Sequence, residues 1–556
     1  MITVYTASLI RTMDDQLPEA TAVAVRDGVI LGVGTVDSLK SWLDSDKVTI
    51  DRTHEGSVLM PGLVEPHCHP MLPSLLLQMP FIAPDDWDLP TGYFPGQITA
   101  EGYWTELGKR FAAHTGDDPF FTWGYSQWFH GPMGKAMLDE KLSSTKPVML
   151  WERSFHQIYM NTAGLAWFGI TGPSSLPDLP EVAEMSDIED GHFWEAGLAA
   201  VMPGIQKLFL TPERMMTGLG RFGQMLRNSG VTTVCDMGMG LMLKPEQELD
   251  LQLASFSDPA CGFRLLSVTQ ETAFAADGST PEQAVARMDA MREKTKGGNV
   301  QVSHHFKLMA DGAFYSQGFR LCSPGYIDGH QGEWIVPPPV TRQLAFAAWN
   351  AGYQLHIHVN GDEGAAFCLD LVADCFEQHP KLDHRFTMEH WGFATDEQTR
   401  RAAALGAQVS GNPFYLHVLG DKYGQAGLGQ DRGAIISGYG TVLRHGMNLA
   451  LHSDCPMAPI DPIQLAQAAV SRRTLDGNVV GEGEALTVEQ ALRAITIDAA
   501  WTLRLEETIG SIRAGKSADF TIVDRDPLVD LDGVRVLGSI YRGTPVVSPQ
   551  PAASKT

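Results

Sequence analysis

Val58-Leu-Met-Pro-Gly-Leu-Val-Glu-Pro-His67-Cys-His69-Pro70 is an apolar run that ends in two histidines one residue apart. On a strand, residues two apart share a side, so the C-terminal end of this run offers two imidazoles side by side. Paired imidazoles are what a transition-metal ion needs. Alone the pair means little, because 18 histidines in 556 residues give about 0.6 such pairs by chance. The question is whether ligand-type side chains recur at later strand ends.

They do. Short apolar runs alternate with helix-like segments between 58 and 460, which points to a parallel α/β architecture. The runs are Val58–Val64, Val148–Trp151, Thr232–Cys235, His305–Leu308, Gln354–His358, Phe386–His390, Ala407–Ser410 and Asn448–His452. Eight strands suggest a (β/α)8 TIM-like barrel, whose chemistry sits at the C-terminal strand ends. Those ends carry His67 and His69, then Lys307, His356 and His358, Glu389 and His390, and finally His452 and Asp454. An ordered series of this kind is far less expected by chance than any one member.

Outside the barrel, Thr21–Val33 reads as strand, Asp-Gly turn and strand, and Ala518–Val523 and Val534–Gly543 read as further strands. Both chain ends therefore point to a small β-sandwich, 1–57 plus 500–556, around a barrel of 58–499. The segment 71–146 is too long for one helix and reads as an inserted subdomain. Thirteen of the chain's 48 aromatic residues fall between Phe81 and Phe129, Trp87, Trp104, Trp123 and Trp128 among them. They serve either as the insertion's own core or as a wall for an apolar or aromatic substrate. The loops 171–195 and 420–433 read as lids or as solvated surface.

Two motifs mislead. Gly510-Ser-Ile-Arg-Ala-Gly-Lys516-Ser517 matches the phosphate-loop pattern, but a strand follows it where a helix is required. Gly218-Leu-Gly220-Arg-Phe-Gly223 matches a dinucleotide fingerprint but lies inside a helical run.

The net charge of −25 argues against nucleic acid or an anionic membrane surface as partner. Seven scattered cysteines without Cys-x-x-Cys read as reduced thiols of a cytoplasmic protein. No signal peptide or membrane-spanning run is apparent.

The chain resembles the amidohydrolase superfamily, specifically its amidohydrolase-3 branch, similar to the N-substituted formamide deformylases and YtcJ-like proteins. The resemblance rests on Met60–His69, Lys307-Leu-Met-Ala-Asp311-Gly312, His358-Val-Asn-Gly-Asp362, Glu389-His390, Ser453-Asp454 with Pro459–Pro462, and the tail Thr508–Asp524. It departs at Glu65-Pro66, at Glu363, and at His452, which stands where glycine is usual. The resemblance implies metal ligands His67, His69, His358, His390 and Asp454, with His358 rather than His356 as ligand. It also implies one or two Zn2+ or similar ions, Asp454 as general base and acid, and a possible homodimer. Lys307 is implied as a carboxylated, metal-bridging lysine; the alternative is an ordinary ion pair with Asp311. His156, Trp128 and Asp311 are candidate substrate contacts. Cys68 points away from the ligands, and Asp236 reads as a strand-end turn residue.

The expected function is metal-dependent hydrolysis of a non-peptide carbon–nitrogen bond, an amide or an N-acyl or N-formyl group, in an apolar or aromatic small molecule. Lactone or ester hydrolysis, deamination and decarboxylation are rivals on the same site, since a fold does not choose its reaction. A non-catalytic ligand-binding or regulatory protein is the rival from another class.

Overall fold

The computed structural model describes residues 1–44 and 46–546. In it Leu63–Cys68, which carries His67, opens an eight-stranded sheet. The other strands follow in order: Val231–Met239, Arg264–Gln270, Val300–Met309, Gln354–Val359, Thr387–His390, Gln408–Gly411 and Leu449–Leu451. Every neighbouring pair is parallel. Leu63–Cys68 and Gln354–Val359 are buried along their whole length, as strands covered on both faces must be. Backbone hydrogen bonds from Asp454 N to His67 O (3.0 Å) and from His69 N to Cys455 O (3.1 Å) join the last strand to the first. The result is the nearly closed (β/α)8 barrel.

The helices behind the strands start on clear local signals. Thr280, Thr395 and Thr487 each cap a helix by accepting from the backbone N–H of a glutamine three residues on. That glutamine's side chain reaches back to the cap. Near the base of the barrel, Ala499 and Ala500 of the helix Ile497–Thr502 pack with Val64, Cys235, Leu266 and Ala450. The boundary expected at 500 therefore falls within a helix of the barrel.

The two chain ends form one hydrogen-bonded sheet of seven strands. In order these are Thr544–Val546, Val536–Tyr541, Phe520–Val523, Val48–Pro61, Ile2–Arg11, Glu19–Arg26 and Val29–Gly34. One face buries Tyr5, Val23, Leu59, Phe520 and Ile540. The other buries Ile2, Val4, Ala22 and Ala24 against Leu39. The part of the C-terminal piece from 547 to 556 lies outside the described residues. Val58–Val64, expected as one strand, is two: Val58–Pro61 ends a strand of the terminal sheet, and the barrel strand begins at Leu63. Gly62 makes the join, where a Cβ would lie 2.0 Å from Thr232 Oγ1.

The second expected strand is a correction. Val148–Glu152 belongs not to the barrel but to a separate five-stranded sheet, parallel to Phe120–Tyr125 and antiparallel to Gln157–Met160. The true second and third barrel strands are Val231–Met239 and Arg264–Gln270. The latter was missed because Arg264, Ser267, Thr269 and Gln270 break its apolar pattern, although all seven of its residues are buried. Arg264 is buried because it is paired with Asp519.

Consequently the insertion expected at 71–146 runs much further. The chain divides into two compact units: one comprises 1–70, 223–312 and 317–556, the other 71–222 with 313–316. The second unit has its own core of Ile82, Tyr103, Leu107, Phe120, Tyr125, Val148 and Leu150. Trp87 and Trp123 are buried beside Phe81, with ring centroids 5.2 and 4.8 Å away. Much of the aromatic excess is thus this unit's interior. Arg153 is fully buried there, paired with Asp85 at 3.2 Å and held over the faces of Trp123 and Tyr315, each at 4.5 Å.

Gly510–Ser517 adopts no phosphate loop: Lys516 Nζ donates to Ile509 O (3.1 Å) and Ser511 Oγ (2.7 Å). Gly218, Gly220 and Gly223 sit in the helix Pro212–Asn228. Among the described residues no helix is long and apolar enough to cross a membrane.

Candidate metal centre

His67 lies in the middle of the site because its strand sits next to the end of the last one. Its Nδ1 is 2.6 Å from Glu389 Oε2, so Nδ1 carries the proton and Nε2 presents its lone pair. That Nε2 lies 3.3 Å from Asp454 Oδ1 and 3.2 Å from Lys307 Nζ. His69 Nε2 is 3.0 Å from the same Asp454 oxygen. His390 Nδ1 is 3.7 Å from Asp454 Oδ2, which also accepts from Tyr415 OH at 3.1 Å. The structure thus brings together five expected residues: His67, His69, Lys307, His390 and Asp454.

His358 stands beside them, with its ring 4.5 Å from that of His390. Its Nε2 faces Asn360 Nδ2 at 3.1 Å and Gly312 O at 3.4 Å.

The backbone is bent to aim these groups. His390 has φ 74° and Asp454 φ 53°, conformations that cost a non-glycine residue on the order of 1–3 kcal/mol and persist where surrounding structure imposes them. Here the backbone N–H of Asp454 is fixed to His67 O. Glycine makes room as well: a Cβ on Gly238 would lie 2.2 Å from His69 Nδ1.

Glu389 is the electrostatic hub. Its Oε1 accepts from His356 Nδ1 at 2.6 Å, and its Oε2 serves His67. Burial alone would push this carboxyl up, but the His356 hydrogen bond and the nearby Lys307 and His452 hold it at about 2. His356 Nε2 in turn meets His305 Nδ1 at 2.9 Å, so His356 orients rather than ligates. Burial pushes His67 and His390 well below the usual imidazole range and His452 to about 4. These rings are therefore neutral, with lone pairs available. Burial also lowers Lys307, against the pull of Glu389 and Asp454. For Asp454, burial is outweighed by His69, and the carboxyl stays ionised below its usual range.

The donor set fits a metal. Two ligand atoms on a tetrahedral ion with bonds of about 2.0 Å lie about 3.3 Å apart, and His69 Nε2 and His67 Nε2 lie 3.0 and 3.3 Å from Asp454 Oδ1. His67, His69 and Asp454 form one group able to hold an ion, and His67, His390 and His452 another. Nitrogen-rich donors of this kind suit Zn2+ and its neighbours.

The remaining expected residues are Asp311, His156 and Trp128. Asp311 is buried with both oxygens given to backbone amides: Asn360 N at 2.8 Å, Gly361 N at 2.7 Å and Arg320 N at 3.0 Å. It braces two strand ends, and burial raises it to about 7 in spite of these donors. This also removes it as the ion-pair partner considered for Lys307. His156 belongs to the 71–222 unit, its Nδ1 2.8 Å from Glu195 Oε1. Trp128 is half-buried on the short helix Gln127–His130 of the same unit. Asp236 is fully buried, accepts from Gly238 N and Gln252 Nε2, and feels His69.

Sequence reading named Glu389 and His452 at strand ends without giving either a role, and missed Tyr415 as a donor to Asp454. The signal for His452 was its place immediately before Ser453-Asp454. Tyr415 had none, because it lies on a helix after the seventh strand.

A profile described as Amidohydrolase family matches residues 55–547. Putative amidohydrolase YtcJ of Bacillus subtilis is 24% identical, with 95% of each chain covered. N-substituted formamide deformylase of Arthrobacter pascens is 24% identical, covering 93% of this chain and 92% of that one. Among solved structures, an uncharacterized metal-dependent hydrolase from Pyrococcus horikoshii superposes with TM-score 0.71 at 19% identity, over 96% of this chain and 99% of that one; at that identity the likeness speaks for the fold. The profile spans the barrel and every member of the His67–Asp454 series, and the chain belongs to the amidohydrolase family.

Proposed function

We propose that this protein is a metal-dependent hydrolase that cleaves a non-peptide carbon–nitrogen bond, an amide or an N-acyl or N-formyl group, in a small molecule. The observation that carries the reading is the position of Asp454. It is an ionised carboxylate in a buried site, shared between His67, His69 and Tyr415.

A bound divalent ion would supply a nucleophile from water at neutral pH and polarise the scissile carbonyl. The chain's own residues do the rest. His67 and His69 place their Nε2 atoms 3.3 and 3.0 Å from Asp454 Oδ1. Glu389 keeps the proton of His67 on Nδ1, so that Nε2 stays open. Asp454 takes a proton from the attacking water and returns it to the leaving nitrogen, while Tyr415 OH steadies its second oxygen. Burial lowers Lys307, the direction that favours the free amine CO2 requires, and this supports its carboxylation. The resemblance to N-substituted formamide deformylase favours the amide among the possible bonds.

The test is Asp454→Asn, assayed on a panel of N-formyl and N-acyl amides, lactones and exocyclic amines. Turnover of the amides should fall by about 10²–10⁴-fold when the variant is assayed with enough added metal to fill its site. Full activity in the variant removes Asp454 as base, and hydrolysis confined to the lactones or amines removes the amide reading.

A further inference from the structure

His452 stands outside the ligand set that the sequence and the family resemblance supply, yet its surroundings are those of a ligand. It is fully buried just beyond the eighth barrel strand. Its Nδ1 is 2.8 Å from Ser410 Oγ, which leaves Nε2 to face the site. That Nε2 lies 3.1 Å from His390 Nδ1. Its ring centroid is 4.5 Å from that of His67 and 5.1 Å from that of His390. The three residues offer nitrogen atoms that all lie within 4.8 Å of one another.

The 3.1 Å gap between these two imidazole nitrogens is bridged either by one proton or by one shared cation, because two bare lone pairs repel. The spacing is close to the roughly 3.3 Å edge between two nitrogens on a tetrahedral ion. The carboxylate between the two groups fits a shared arrangement: Asp454 turns Oδ1 to His67 and His69 and Oδ2 to His390 at 3.7 Å.

We propose that His452 is itself a metal ligand, its Nε2 forming with His390 Nδ1 and Asp454 Oδ2 a second centre for a borderline divalent ion such as Zn2+ or Co2+, while His67 Nε2 stays with His69 and Asp454 Oδ1 in the first. The inference rests on the metal dependence proposed above and adds to it a residue and a coordination shell. Its rival is that His452 only hydrogen-bonds to His390 and orients it.

The experiment compares the full-length wild type with His452→Ala and His452→Gln, the latter keeping a polar partner for Ser410. Each is stripped of metal and titrated with Co2+ alone. Metal content, the visible Co2+ spectrum and the number of imidazoles seen by X-ray absorption are measured, and circular dichroism confirms folding. If His452 is a ligand, the wild type shows one more imidazole per protein than either variant. The variants then lose one equivalent, or bind it more than about 100-fold more weakly, beyond the 10–100-fold that loss of a supporting partner costs. Variants with wild-type stoichiometry, spectrum and imidazole count overturn the assignment and leave His452 as an orienting residue. A wild type that takes up no Co2+ overturns the metal-dependent reading itself, so the two failures are distinct.

Discussion

Gly238→Ala tests how tightly the centre is built. Gly238 lies on the strand Val231–Met239, and the missing methyl is what lets His69 stand where it does. A Cβ there would be 2.2 Å from His69 Nδ1 and 2.8 Å from its Cε1, whereas ordinary contact begins at 3.4 Å. The ring must then retreat by about 1.2 Å (3.4 − 2.2), or the strand must move. Metal bonds tolerate about 0.2 Å, so His69 is lost as a well-placed ligand. We expect metal affinity to fall by at least 10–100-fold, equivalent to about 1.4–2.7 kcal/mol. The metal-free protein should lose only the 1–3 kcal/mol that overpacking costs. Competition against a chromophoric chelator reads the first quantity, and chemical denaturation of the stripped protein reads the second. A His69→Ala background supplies the control, because with the ring gone the added methyl should cost no further affinity. Wild-type affinity in Gly238→Ala, or a full additional loss in the double variant, would refute the steric argument.

Two other perturbations probe the supporting shell and the pH response. Glu389→Gln turns one of the two accepting oxygens into an NH2 donor, so that His67 and His356 cannot both keep their Nδ1 hydrogen bonds; metal affinity should drop by about 10–100-fold, measured by the same competition. Glu271 is buried, accepts from Met309 N and Thr341 Oγ1, and is pushed up to about 8 by burial. A carboxyl raised in the folded state contributes stability that is complete below its unfolded value of 4.5 and is lost as pH rises through 8. Denaturation of the metal-free protein at a series of pH values should therefore show a decline across this window that Glu271→Gln flattens by a few kcal/mol; an unchanged slope in the variant would exonerate Glu271.

The parts of the molecule that could be read from the chain were those governed by local pattern. His67-Cys-His69 had the strand period and an apolar lead-in. Lys307, His358 and Glu389-His390 each fell in or at the end of a short apolar run. What stayed hidden depended on pairing across distance. Val148–Glu152 has as good a strand pattern as any barrel member, and only its hydrogen bonds to Phe120–Tyr125 and Gln157–Met160 put it in another sheet. Arg264–Gln270 looked too polar for a buried strand because its charge is neutralised by Asp519, 255 positions away. His452 and Tyr415 met their partners only when the strand ends converged. The tryptophans that suggested a substrate wall could equally build a core, and Trp87 and Trp123 do.

The bonds that join the last strand to the first run between the very segments that carry His67, His69 and Asp454. Glu65 and Ser453, which also meet there, are 388 positions apart. The two ligand groups therefore do not exist in any fragment that stops short of the eighth strand, however well its earlier strands have folded. A ribosome must have delivered more than four-fifths of the chain before the first histidine pair meets its carboxylate. A product truncated before His452 therefore lacks a member of each ligand group.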